Sequence, residues 1–149
     1  MEYILIFIGL FLMELIYFKI ADRFNIIDKP NLRSSHTQIT LRGGGVIFYF
    51  ALLLYSIIYN VPYPYFLIGC TAIAAISFLD DVFTLSNKIR IAIHAFAIVA
   101  LFFEVQIFQL PLVWIPISFI LGIGIFNAYN FMDGINGITA SYSLAVLAL

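Results

Sequence analysis

Five stretches of this sequence approach the ~20 mainly apolar residues that a membrane-spanning helix needs. They are Tyr3–Ile20, Gly43–Asn60, Tyr63–Leu79, Ile91–Phe108 and Leu110–Phe126. A sixth opens near Ile138 and is still apolar at Leu149. Between them lies too little polar sequence to cover such helices as the core of a water-soluble domain. The chain is 64% hydrophobic and 10% charged, with a mean hydropathy of +1.09, whereas soluble domains are about 45–50% apolar and about a quarter charged. The apolar runs are continuous and not two-periodic, which excludes alternating barrel strands. Hence the expected fold is all-α: a polytopic transmembrane helix bundle with five spans and the start of a sixth.

Charge sets the expected orientation. All seven Lys and Arg residues fall in two places. Lys19, Arg23, Lys29, Arg33 and Arg42 surround or follow the end of the first apolar stretch; Lys88 and Arg90 follow the third. By the positive-inside rule both loops are cytoplasmic and the N-terminus is outside. The stretch after the fifth span then faces the cytoplasm too. Net charge is −1, so no basic surface for nucleic acid is expected. MEYILIF lacks the basic start of a cleavable signal peptide, and the single cysteine, Cys70, reads as a small packing residue.

Three polar stretches therefore gather on one side of the bilayer. The first, DKPNLRSSHTQITLRGGGVIF, holds His36, Arg42 and the run Gly43–Gly44–Gly45. Glycine permits close backbone approach to a ligand, and a helix N-terminus offers N–H groups to an anion. The second, SFLDDVFTLSNKIR, places Asp80 and Asp81 where an apolar run ends. Adjacent carboxylates disfavour each other's ionisation unless a cation or proton intervenes, and Mg²⁺ takes oxygen ligands of this kind. Acids at a helix C-terminus also oppose the macrodipole, so a partner is expected. The third, NAYNFMDGING, spaces Asn127, Asn130 and Asp133 three apart, on one face if helical. Amides there suit a nucleobase or sugar hydroxyls, and Asp133 a cation or a donor group. Glu14 and His94 lie inside apolar stretches and Glu104 near the outer side. The first two read as packing residues and the third as solvated.

DKPNLRSSHTQITLRGGG, FLDDVFTLSNKIR and NAYNFMDGINGI, in that order and on one membrane side, resemble the polyprenyl-phosphate N-acetylhexosamine-1-phosphate transferases (glycosyltransferase family 4). PN-x-RSSH and YNFMDGI are similar to the branch that initiates O-antigen and capsule-type polysaccharides. The resemblance implies transfer of an N-acetylaminosugar 1-phosphate from a UDP-sugar to undecaprenyl phosphate, with release of UMP. It implies Mg²⁺ as cofactor, with Mn²⁺ the alternative, and a multi-pass protein of the bacterial inner membrane with its site on the cytoplasmic face. By this likeness Asp80 and Asp81 hold the metal and orient or deprotonate the lipid phosphate, and Asp133 joins them as a ligand. His36, Arg42, Gly43, Gly44, Asn127, Asn130 and Asp133 bind substrate.

The sequence also departs from the family pattern. Thr84 stands where many members carry a third aspartate, Asn136 where a second follows the DG pair, and Ile39 and Leu41 where prolines are common. His94 replaces a frequent glutamine. A G-D-x-G-S motif and a histidine-rich loop, expected further along, do not occur. Residues 1–149 are accordingly read as the N-terminal part of one transmembrane transferase domain, inactive alone. The alternative is a non-catalytic membrane subunit or an inactive remnant. A homodimer is compatible with either.

Overall fold

The structure, a computed structural model, describes residues 1–28, 39–83, 85–132 and 138–148. Among these residues lie six helices: α1 (Glu2–Arg23), α2 (Val46–Ile58), α3 (Pro64–Phe83), α4 (Asn87–Glu104), α5 (Trp114–Met132) and α6 (Ile138–Leu147). A short 3₁₀ turn, Ile107–Gln109, links α4 to α5. The fold is all-α, as expected, apart from one two-residue ladder. In it β1 (Ile27–Asp28) pairs antiparallel with β2 (Thr40–Leu41), in the register Ile27 with Leu41 and Asp28 with Thr40.

Each expected apolar stretch contains a helix, with its boundaries shifted by the local end chemistry. α1 ends at Asn25 in the left-handed region (φ 54°). The Asn25 N–H bonds the Asp22 carbonyl and the Ile26 N–H the Ala21 carbonyl, which is the Schellman pattern. α2 ends likewise, with Asn60 at φ 51° and the Val61 N–H on the Ser56 carbonyl. Pro64 opens α3, where its missing N–H costs nothing.

Helices pack mainly against their sequence neighbours, and α3 with α4 is the most extensive pair. Small residues allow this. A Cβ on Gly69 would lie 3.2 Å from the Ala97 carbonyl oxygen and 3.6 Å from the Ala100 side chain, so the two backbones approach as small-residue membrane interfaces do. Ile76 of α3 and Ala97, Ile98, Ala100 and Phe102 of α4 are buried, with Ile98 against Gly122 and Phe102 edge-on to Phe119 of α5. Tyr49 and Thr71 share a 2.8 Å hydrogen bond between α2 and α3, and Tyr129 meets Tyr142 edge-on between α5 and α6.

Glu104 is not simply solvated. One of its carboxylate oxygens accepts the Tyr65 and Phe66 N–H groups at 2.8 and 3.1 Å, capping the N-terminus of α3 from the end of α4. These are orphan donors of the first helical turn, which would otherwise lack partners.

Most large apolar side chains on α1, and many on α2 and α5, are exposed. α1 and α3 are long and apolar enough to cross a membrane, and little of either is buried within the protein, unlike core helices of soluble domains. The other apolar helices are shorter, α2 being 13 residues or about 20 Å. An apolar exterior of this extent belongs in lipid.

Candidate active site

α3 carries Asp80 and Asp81 at its last turn, and successive helical residues point about 100° apart. The two carboxylates therefore do different things. Asp80 turns toward α4: one oxygen accepts the Leu85 N–H at 2.7 Å and the other lies 3.4 Å from the Arg90 guanidinium. Here is the partner that an acid at a helix C-terminus requires. Asp80 thereby pins the turn between α3 and α4.

Asp81 stands where three cavities meet. One, of 390 Å³, is lined by Gly43, Gly45, Val46, Ala74, Ser77, Phe78 and Asp81. A second, of 320 Å³, is lined by Asp80, Asp81, Arg90, His94, Phe126 and Tyr129 among others. The third, of 250 Å³, lies between Arg42, Asp81, Val82 and the segment Phe24–Ile27. The fold thus brings the glycine run of the first polar stretch, the aspartates of the second and the helix carrying the third to one end of the bundle.

The first stretch arrives by the β1–β2 ladder, extended by a 3.0 Å bond from the Arg42 N–H to the Ile26 carbonyl. This returns the chain to the end of α1, so that Arg42 lines one cavity with Asp81. Gly43 then turns with φ +77°, which side-chain-bearing residues rarely adopt. The N–H groups of Val46, Ile47 and Phe48 bond back to the carbonyls of Gly43, Gly44 and Gly45 at 3.1–3.3 Å. The first turn of α2 is therefore already satisfied, contrary to the expectation of open N–H groups there.

Asn127 lies on α5 but is exposed, outside the lining of the second cavity; Phe126 and Tyr129 face that cavity instead. Asn130 falls within α5, and its side chain, like the whole of His36 and Asp133, lies outside the described residues. His94, read from the sequence as a packing residue, lines the same cavity as both aspartates, its ring 5.4 Å from that of Phe126. Arg90, four residues earlier on α4, and Tyr129 were not singled out as site residues. Helical spacing from His94 was the one available signal for Arg90.

Hard oxygen donors on a half-buried carboxylate pair fit Mg²⁺ by chemistry. Among the described residues no three His, Cys, Asp or Glu side chains converge, so this part of the chain offers a cation two carboxylates.

The model of glycosyl transferase family 4 matches residues 63–149. The chain is 32% identical over 129 residues to an undecaprenyl-phosphate alpha-N-acetylglucosaminyl 1-phosphate transferase of Thermotoga maritima, covering 83% of this chain and 42% of that protein. A probable undecaprenyl-phosphate N-acetylglucosaminyl 1-phosphate transferase of Bacillus subtilis is 29% identical over 153 residues (88% and 43%). The Escherichia coli K12 undecaprenyl-phosphate alpha-N-acetylglucosaminyl 1-phosphate transferase is 29% identical over 162 residues (97% and 44%). No solved structure gives a significant match. The chain spans less than half the length of these curated relatives. With the family model covering more than half of its residues, the chain belongs to glycosyl transferase family 4.

Proposed function

We propose that the protein carrying this chain transfers an N-acetylaminosugar 1-phosphate from a UDP-sugar to undecaprenyl phosphate and releases UMP. Residues 1–149 would form the N-terminal part of one transmembrane domain, each helix crossing or entering the bilayer of the bacterial inner membrane. The N-terminus would lie outside and the Asp81 end in the cytoplasm. The observation that carries the reading is the position of Asp81, shared by three cavities at one end of an apolar bundle. A lipid phosphate at the membrane boundary and a soluble nucleotide can both reach such a point.

In this reaction an oxygen of the lipid phosphate attacks the β-phosphorus of the UDP-sugar. The bond from that phosphorus to the oxygen bridging to the α-phosphorus breaks, and UMP leaves with the bridging oxygen. Phosphoryl transfer asks a protein mainly for positioning and charge neutralisation. Asp81 would orient the attacking phosphate and accept its proton where one is present. Arg42 and Arg90 place positive charge beside the cavities, and the glycine turn allows close approach to a diphosphate. Mg²⁺, held by Asp81 with Asp80 and Asp133, would neutralise developing charge on the phosphate oxygens.

GlcNAc is the first sugar to test, because the relatives are named for it. An O-antigen or capsule-type polysaccharide is the product class we favour, on the wording of the first and third polar stretches. The purified protein is incubated with undecaprenyl phosphate, Mg²⁺ and each UDP-N-acetylaminosugar, and UMP is measured. Lipid-dependent UMP release from one of them is expected. None from any would overturn the reading.

A further inference from the structure

The sequence gives Tyr17 no role; it lies inside an apolar stretch. In the structure its hydroxyl donates to the Arg42 carbonyl at 2.5 Å, 25 residues away. Its ring meets Phe78 of α3 edge-on, with centroids 6.3 Å apart. Phe78 precedes Asp81 by about one helical turn, and both line the 390 Å³ cavity. Gly43, which follows the bonded carbonyl, is seated on the same two rings. A Cβ there would overlap the Tyr17 hydroxyl and come within 3.2 Å of Phe78. Tyr17 itself is absent from the lining of all three cavities around Asp81. It touches what lies on both sides of one.

We infer that Tyr17 is a positioning residue: its hydroxyl clamps the Arg42–Gly43 turn against the Asp81 end of α3. The clamp fixes the gap between the glycine turn and the carboxylate, across which, on the transferase reading, the diphosphate is handled. A phenylalanine ring would fill the same space, so the packing does not need the hydroxyl. The hydroxyl is spent on the turn. Glu14, about one turn before Tyr17, lies close against the neighbouring residue: a Cβ on Gly44 would be 2.9 Å from its carboxylate.

The test is Tyr17→Phe, with Tyr49→Phe as control, since Tyr49 loses a comparable hydroxyl bond away from these cavities. Tyr17→Phe is expected to lower kcat for UMP release about 10- to 100-fold, with the KM for the UDP-sugar within about twofold. Its thermal midpoint in detergent should move by no more than about 4 °C, and Tyr49→Phe should keep full kcat. Hydrogen exchange at the amides of residues 42–46 should rise about tenfold in Tyr17→Phe alone. Unchanged kcat in Tyr17→Phe, equal losses in both variants, or unchanged exchange would each overturn the inference. If the wild type releases no UMP, the transferase reading fails, and the exchange measurement alone decides whether Tyr17 holds the turn.

Discussion

At the scale of single residues, Asp80 and Asp81 are neighbours in sequence with separate tasks. Asp80 is engaged with Arg90 and the Leu85 N–H, while Asp81 faces all three cavities. Asp81→Asn is therefore expected to lower the rate of UMP release by about 100- to 1,000-fold, the loss typical of removing a preorganised charge. Asp80→Asn keeps an acceptor for the Leu85 N–H and loses only the partly exposed ion pair, so its thermal midpoint should barely move; a large drop would contradict this. Arg90→Gln breaks an ion pair whose side chains are 32% and 26% exposed, and such pairs contribute about 0–1 kcal/mol. Stability measured by denaturation should thus barely change. A large loss of activity in the same variant would place Arg90 on substrate. The acidic pair was legible as chemistry from its sequence alone. That Asp80 ties α3 to α4 was not, because that depends on what α4 sets beside it.

At the scale of elements, the α3–α4 hairpin is tied at both ends. Asp80 holds the end near the cavities, and Glu104 caps the other, about 22 Å away along α3. Glu104→Ala leaves two backbone N–H groups without their acceptor, and a loss of about 1–2 kcal/mol is expected. Thermal denaturation in detergent would measure it. Activity per folded molecule should be retained, since Glu104 is remote from Asp81. Gly69→Val should be costlier: the added Cβ would meet the Ala97 carbonyl at 3.2 Å, and overpacking of this kind costs about 1–3 kcal/mol. Glu104 escaped the sequence reading because a lone acid near an apolar end looks like an interface residue. Its partners lie 38 and 39 positions earlier.

At the scale of the whole molecule, the reading turns on one end of the bundle facing the cytoplasm. With Cys70 replaced by alanine, a cysteine at Ser86, in the turn between α3 and α4, should react with a membrane-impermeant reagent only in inverted vesicles. One at Asn60, between α2 and α3, should react only in intact cells. The reverse pattern would overturn the orientation and separate Asp81 from any cytoplasmic nucleotide. Chelation by EDTA should abolish UMP release, and added Mg²⁺ should restore it; chelator-resistant activity would remove the metal from the proposal.

The apolar stretches determined that this chain is a helical bundle with an exterior suited to lipid, because hydrophobicity over about 20 residues is a local property of sequence. Likewise, charge placement was enough to expect three polar stretches on one side, and their wording was enough to indicate the family. Tertiary structure alone decided that Tyr17 holds Arg42, that His94 and Arg90 share a cavity with the aspartates, and that Asn127 does not line it. These are contacts between residues far apart in the chain, or choices of helix face. Neither exists until the helices have packed, and apolar helices whose exposed surfaces look alike all round carry little in their own sequence to say which face will turn inward.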